Sequence, residues 1–273
     1  MLRQAIIPLA GLGTRLLPLS SVTPKELLPI NGKSNLEHIL DECIDAGIKE
    51  FIFIISKKKK SIKKYFFNNQ FYKAILAKKK DKRILHTFNK LKSYQKMIKF
   101  VYQNKPKGTG DAILKCQRLI KSSHFLMLFP DDLIIKKNCS KEMMLLHKRT
   151  KGSIIATKVV KKETVSRWGI LSVKDKKKNY FKIKDVVEKP TIKLAPSNFA
   201  IIGRYILPKI IIKKLKKLKP GQGGEIHITD AIKQLIDDGE SFYGNIFKGK
   251  YLDCGTLSGY INSTIEISKA IKK

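Results

Sequence analysis

Gln4-Ala5-Ile6-Ile7-Pro8-Leu9-Ala10-Gly11-Leu12-Gly13-Thr14-Arg15 joins an apolar run to a glycine-rich turn. The run from Gln4 to Leu9 reads as a buried strand, and the glycines end it. Downstream, Asn35 to Ala46 carries Leu36, Ile39, Leu40, Cys43 and Ile44 at helical spacing, with Gly47 placed to stop the helix. Phe51 to Ile55 is then a second strand. Strand, loop, helix, strand is the βαβ order that gives neighbouring parallel strands, so the chain predicts an α/β fold.

The alternation continues. A weakly amphipathic basic helix is expected over Ile62 to Leu76, and a short strand over Ile98 to Tyr102. Thr109 is placed to cap a helix carrying Ala112, Ile113, Cys116 and Leu119, before the strand Phe125 to Phe129. Lys141 to His147 reads as helix and Ile154 to Val160 as strand. Strand-like runs then dominate at Gly169 to Val173, Tyr180 to Val187 and Phe199 to Tyr205, separated by turn-forming clusters. Pro208 can start a helix over Ile210 to Leu218, and a second helix spans Thr229 to Ile236. Strands near Phe242 to Phe247 and Tyr251 to Leu252 precede a helix after Gly255. Lys78 to Lys96 fits either a helix pair or an excursion, because polar residues obscure its period.

The chain has 273 residues, 42% of them hydrophobic, enough for a sizeable core. Its formal charge is +35, from 57 Lys plus Arg against 22 Asp plus Glu. Lysines are scattered through nearly every segment and far outnumber arginines. That distribution favours a diffuse positive field over a dedicated nucleic-acid surface, where bidentate arginines would read bases. Cys43, Cys116, Cys139 and Cys254 show no close pairing and read as free thiols in a reducing compartment. No signal sequence or membrane-length apolar run is evident, so a cytoplasmic protein that does not enter a membrane is expected.

Two stretches could carry chemistry. In Gly11-Leu12-Gly13-Thr14-Arg15, glycine allows close backbone approach, consecutive N–H groups can cradle phosphate oxygens, and Arg15 adds a charged donor. Leu16 stands where the dinucleotide and Walker patterns need their next glycine, so an ordinary turn and a phosphate cradle are equally supported by the loop alone. Pro24-Lys25-Glu26-Leu27-Leu28-Pro29 restrains a Lys-Glu pair between prolines, as either a ligand-facing element or a surface turn.

Beyond these stretches the chain resembles the bacterial UTP–glucose-1-phosphate uridylyltransferases. The motifs run in order through Ala10 to Arg15, Pro24 to Glu26, Ala46 to Ile48, Lys107 to Gly110 (Lys-Gly-Thr-Gly) and Phe129 to Asp132 (Phe-Pro-Asp-Asp). They continue through Val187 to Pro190 (Val-Glu-Lys-Pro), Ala195 to Asn198, Gly203 to Tyr205, Gly224 to Ile226, Thr229 to Ile232 and Asp253 to Gly255. The resemblance implies a Rossmann-like three-layer nucleotidyltransferase core with a mixed, mainly parallel sheet. It also implies a single domain over 1–273, with a β-rich, sugar-side extension near 161–225 and a C-terminal helical segment near 256–273.

By that resemblance Ala10, Gly11, Gly13, Thr14 and Arg15 hold the nucleotide phosphates and Lys25 neutralises triphosphate charge. Glu26, Gln103 and Gly108 meet the uracil base. Asp131 and Asp253 are the metal positions, for Mg²⁺. Asp132, Gly169, Glu188, Lys189 and Asn198 form the sugar-phosphate side, with Lys189 on the phosphate and Glu188 on sugar hydroxyls. Arg15, Lys25, Asp131, Lys189 and Asp253 are the implied catalytic set. UTP and glucose 1-phosphate are the implied partners, together with a homo-oligomer. Two departures stand out: Leu257 occupies a position where relatives commonly place a lysine, and Ser34 replaces a frequent proline.

Overall fold

The computed structural model describes residues 2–67, 70–78 and 82–271. In chain order its strands are β1 (Gln4–Pro8), β2 (Pro29–Ile30), β3 (Lys33–Ser34), β4 (Glu50–Ile55), β5 (Ile98–Tyr102), β6 (His124–Leu128) and β7 (Asp132–Ile135). They continue with β8 (Ser153–Val159), β9 (Gly169–Lys174), β10 (Tyr180–Glu188), β11 (Phe199–Pro208), β12 (Phe242–Ile246) and β13 (Lys250–Asp253). The helices are α1 (Asn35–Asp45), α2 (Lys60–Phe67), α3 (Gln70–Lys78), α4 (Lys82–Gln95), α5 (Gly108–Cys116), α6 (Cys139–Thr150), α7 (Ile211–Leu215), α8 (Ile228–Asp237) and α9 (Leu257–Ile271).

Among the described residues nine strands form the main sheet, in the order β5-β4-β1-β6-β11-β8-β12-β10-β9. Pairing is parallel from β5 to β6 and again between β8 and β12. It is antiparallel at β6/β11, β11/β8, β12/β10 and β10/β9. The sheet is therefore more evenly mixed than the mainly parallel one expected. The late β-rich segment accounts for the difference, because β11 inserts beside β6 in the middle of the sheet instead of standing at an edge.

Strand alternation divides the core in two. Ala5, Ile7, Phe51, Phe53 and Ile55 face one layer, which includes residues of α1 and α6. Ile6, Ile52 and Ile54 face the other, which includes residues of α5, α7 and α8. Helix α1 shows why sequence and element agree. Leu36, Ile39, Leu40 and Cys43 are buried, and the Ser34 hydroxyl accepts the Glu37 amide at 3.3 Å. The Glu37 carboxylate returns the contact by accepting the Ser34 amide at 2.9 Å, closing a capping box. A proline at position 34 has no N–H for that second bond, so Ser34 changes how this helix begins.

Several local expectations need correction. The basic helix expected over Ile62 to Leu76 is described as two helices, α2 and α3, with residues 68–69 outside the description. Within Lys78 to Lys96, residues 79–81 lie outside the described residues, and α4 covers most of the rest. Pro208 ends a strand whose ten residues are all buried, and helix α7 starts only at Ile211. Thr109 lies inside α5 and does not cap it; its hydroxyl accepts the Ile228 amide at 3.3 Å, at the start of α8. All four cysteines are free and buried.

Candidate active site

Parallel strands put their carboxyl ends, and the loops that follow, on one edge of the sheet. After β1 comes the turn through Gly11 and Gly13, after β4 the lysine run, after β5 Gln103, and after β6 the turn Phe129-Pro130-Asp131-Asp132. A separate two-stranded ladder, β13 with β7, sets Asp253 opposite Asp132. Residues far apart in sequence therefore meet along one crevice.

The crevice holds two pockets. Pro8, Ala10, Gly11, Lys25, Glu26, Gln103, Gly108, Thr109 and Asp131 line the first, with Phe129, Pro130 and Glu225. Arg15, Asp132, Gly169, Glu188, Tyr251 and Asp253 line the second, with Arg167, Trp168, Tyr205 and Thr229. Asp131 and Phe129 border both.

In the first pocket, a Cβ added to Gly11 would meet nothing within 4 Å, so the space above this backbone is open to a ligand. Gly13 has φ 71°, where a side chain is strained, and its carbonyl accepts the Ser20 hydroxyl at 2.8 Å. Lys25 begins a short 3-10 turn, Lys25–Leu27, and its Nζ lies 2.5 Å from Asp131 Oδ2. Arg15 is more distant from the same oxygen, at 3.6 Å. Burial works against charge on Lys25, but Asp131 and Glu26 outweigh it and hold its pKa above the ordinary lysine value. Burial likewise pushes Asp131 up, and Lys25 more than reverses that, leaving its carboxyl below the usual range. The pair is ionised.

Glu26 is buried, with both carboxylate oxygens accepting from Lys59 Nζ at 2.7 and 2.8 Å. Burial pushes Glu26 up and Lys59 down, and their mutual attraction opposes both shifts. Gln103 Nε2 donates to the Gly108 carbonyl at 3.1 Å and to Asp111 Oδ2 at 2.8 Å. Gly108 has φ 90°, and a Cβ there would strike the Ile226 carbonyl at 2.6 Å, so only glycine fits this approach.

In the second pocket Asp132 accepts the Tyr251 hydroxyl at 2.6 Å and the Gly203 amide at 3.0 Å. Burial, then the neighbouring charge of Asp131, raises its pKa to about 6. Its backbone carbonyl accepts from Arg204, which is itself buried and paired with Glu42 of α1. A buried bidentate pair thus anchors the aspartate turn to the core. The Thr229 hydroxyl is buried without a partner among the described residues.

Asp131, Asp253 and Arg15 converge on Gly255. A Cβ there would lie 2.8 Å from an Arg15 nitrogen, 2.9 Å from Asp131 Oδ2 and 3.1 Å from Asp253 Oδ1. Among the described residues no group of three His, Cys, Asp or Glu is placed to hold a metal. Two carboxylates facing an open crevice nevertheless suit Mg²⁺, which takes one or two protein carboxylates and completes its octahedron with phosphate and water.

Not every expected residue joins a pocket. Gly13 and Thr14 lie in the turn but line neither cavity, Arg15 lines the second pocket and not the first, and Asn198 is exposed, offering its backbone carbonyl to the Val160 amide at 3.0 Å. Lys189, with φ 44°, lines neither pocket; its Nζ is 4.0 Å from Glu188 and its side chain is 54% exposed. Leu257 is exposed at the start of α9 and brings no cation. Arg167, which the sequence reading did not single out, supplies a cation to the second pocket. Lys59, Asp111, Trp168 and Tyr251 were also missed.

A mixed sheet carrying paired pockets on its carboxyl edge, with a glycine turn in one and carboxylates between them, defines a nucleotidyltransferase architecture. The Nucleotidyl transferase family matches residues 4–270. The UTP–glucose-1-phosphate uridylyltransferase of Bacillus subtilis is 34% identical over 272 residues, spanning 99% of this chain and 92% of that relative. The Mycoplasma pneumoniae enzyme of the same name is 35% identical over 268 residues, spanning 97% and 91%. Among solved structures, a UDP-glucose pyrophosphorylase complexed with UDP-glucose superposes with TM-score 0.87 at 33% identity, covering 99% of this chain and 100% of that one. UTP-bound UGPase from Acinetobacter baumannii gives TM-score 0.88 at 29% identity, covering 98% and 93%. The chain belongs to the nucleotidyl transferase family and, within it, to the UTP–glucose-1-phosphate uridylyltransferases.

Proposed function

We propose that this chain transfers UMP from UTP to glucose 1-phosphate, giving UDP-glucose and pyrophosphate. The observation that carries this reading is the shared border at Asp131: an open glycine turn with Lys25 lies on one side and a pocket lined by Asp132, Glu188 and Asp253 on the other. Two substrates seated there present their phosphates to one another.

The phosphate oxygen of glucose 1-phosphate attacks the α-phosphorus of UTP, and pyrophosphate leaves. No enzyme nucleophile is needed, because the attacking oxygen already carries charge. The chain's contribution is orientation and charge stabilisation. Ala10, Gly11, Gly13 and Thr14 form the backbone cradle, Lys25 and Arg15 offset charge on the triphosphate, and Gln103, Gly108 and Glu26 bound the base. Glu188, Asp132 and Thr229 meet sugar hydroxyls, while Lys189 and Arg167 stand on the sugar-phosphate side, where Leu257 offers no charge. Asp131 and Asp253 would hold Mg²⁺, which supplies charge neutralisation on the reacting phosphates.

In this reading residues 161–225 make the sugar-side portion of one domain, and the enzyme is a cytoplasmic homo-oligomer; light scattering measures the assembly. No described helix is long and apolar enough to cross a membrane. The deciding assay supplies purified protein with Mg²⁺, UTP and a panel of sugar 1-phosphates that includes glucose 1-phosphate. Pyrophosphate and UDP-glucose are the expected products, and absence of product across the panel overturns the reading.

A further inference from the structure

The Gln103 side chain carries the information for base choice only if its amide points one way. An amide offers a donor at one end and an acceptor at the other, and rotation by half a turn exchanges them. Here the choice is forced. Nε2 contacts the Gly108 carbonyl at 3.1 Å and Asp111 Oδ2 at 2.8 Å, and a carbonyl and a carboxylate can only accept. Turning the amide over would set Oε1 against two acceptors inside a buried site, since Gln103 is 6% and Asp111 8% exposed. Oε1 is left without a protein partner among the described residues, and Gln103 lines the first pocket.

The holder is itself held. Asp111 lies in the first turn of α5, where the helix dipole favours a negative charge, and Lys115 Nζ is 3.7 Å from its other oxygen. The Gly110 amide bonds the Ile226 carbonyl at 2.8 Å and the Ile226 amide bonds the Lys107 carbonyl at 2.9 Å, which fixes the start of this helix against the neighbouring loop.

Resting on the proposed uridylyl transfer, we infer that Asp111 is a specificity-determining positioning residue: it locks the Gln103 amide with Oε1 toward the base, so that the pocket accepts an N3–H donor and rejects a base whose N3 is an acceptor. Uracil carries that N3–H between two carbonyls, whereas cytosine presents a lone pair at N3 and an amino group at C4. Cytosine therefore meets a fixed acceptor with its own acceptor. Thymine shares uracil's edge, so this lock sorts uracil from cytosine and leaves the choice between uracil and thymine to other contacts.

The test measures kcat and KM with UTP, CTP and 3-methyl-UTP, glucose 1-phosphate and Mg²⁺, in the wild type, Asp111→Leu and Asp111→Asn. Wild type that makes no UDP-glucose from UTP refutes the proposed reaction itself, before any variant is compared. Given activity, the wild type should prefer UTP over 3-methyl-UTP by at least about tenfold, because the methyl group replaces the donor that Oε1 requires. Asp111→Leu removes the nearer of the two acceptors and leaves the Gly108 carbonyl alone to hold the amide, so its UTP-to-CTP preference should fall about tenfold, mainly through a higher KM for UTP with kcat little changed. Asp111→Asn still offers an acceptor oxygen and should keep most of the preference. Equal use of 3-methyl-UTP by the wild type overturns the inference. So does an unchanged preference in folded Asp111→Leu, or a loss in Asp111→Asn as large as in Asp111→Leu. Should Asp111→Leu not fold, 3-methyl-UTP on the wild type and the preference retained by Asp111→Asn decide the matter.

Discussion

Lys59 Nζ sits between the two carboxylate oxygens of Glu26, 2.7 Å from one and 2.8 Å from the other, with both side chains almost wholly withdrawn from solvent. Glu26 also neighbours Lys25 in sequence and in charge. By occupying Glu26, Lys59 leaves Lys25 to Asp131 and to the open space above the glycine turn. Lys59→Met strands a buried carboxylate, and the expected cost is about 3 kcal/mol or more in urea unfolding. Adding Glu26→Gln to that variant should recover part of the loss. An unaltered unfolding midpoint in Lys59→Met would falsify the structural weight given to this pair.

Three charged groups that line the second pocket, Arg15, Asp131 and Asp253, converge on Gly255. A methyl group there would stand 2.8 to 3.1 Å from Arg15, Asp131 and Asp253 at once. Gly255→Ala should therefore lower turnover by about a hundredfold, comparable to losing one preorganised electrostatic contact, while circular dichroism remains native. The Mg²⁺ concentration needed for half-maximal activity should rise in the same variant.

Glu188 lines only the second pocket. With Glu188→Gln, KM for glucose 1-phosphate is expected to rise about tenfold while KM for UTP stays put, as removal of a substrate-binding contact requires. A matching rise for UTP means that the two pockets are not divided between the two substrates in this way.

His124 packs its ring against His147 with centroids 4.6 Å apart. Burial, then the neighbouring imidazole, lowers its pKa from 6.5 to about 4. The unfolded chain takes up the proton first, so the stabilisation present above pH 6.5 is lost as pH falls toward 4. Urea midpoints recorded between pH 7 and about 4 should fall less steeply for His124→Gln than for wild type. Identical slopes contradict the assignment.

The strands and helices that carry the crevice were legible because their apolar periods are strong: β1, β4, β6 and α1 lie where Gln4 to Leu9, Phe51 to Ile55, Phe125 to Phe129 and Asn35 to Ala46 predict them. Gly11, Lys25, Asp131 and Asp253 line the crevice, but local sequence supported ordinary turns there as well, and it was the ordered family motifs that singled them out. Lys59 was not, because Lys57, Lys58, Lys59 and Lys60 are one unbroken run and only its third member is buried. Asp111 gave no sign in the sequence, because its hold on Gln103 depends on the end of β5 meeting α5. Thr109 has the right chemistry for a cap, but the amide it reaches belongs to α8, a partner that local sequence does not name.

Asp253 stands on β13, on a different stretch of chain from Asp131, so the two can be retuned separately. Asp131 and Asp132 cannot, since one peptide bond joins them while Asp131 borders both pockets and Asp132 only the second. On the proposed placement of the two substrates, a lineage that drifts toward another sugar by shifting this turn inherits an altered grip on the triphosphate as well. Innovation in the sugar is therefore steered away from the turn and toward the second pocket's walls, where Arg167, Trp168 and Thr229 can vary while the first pocket is left alone.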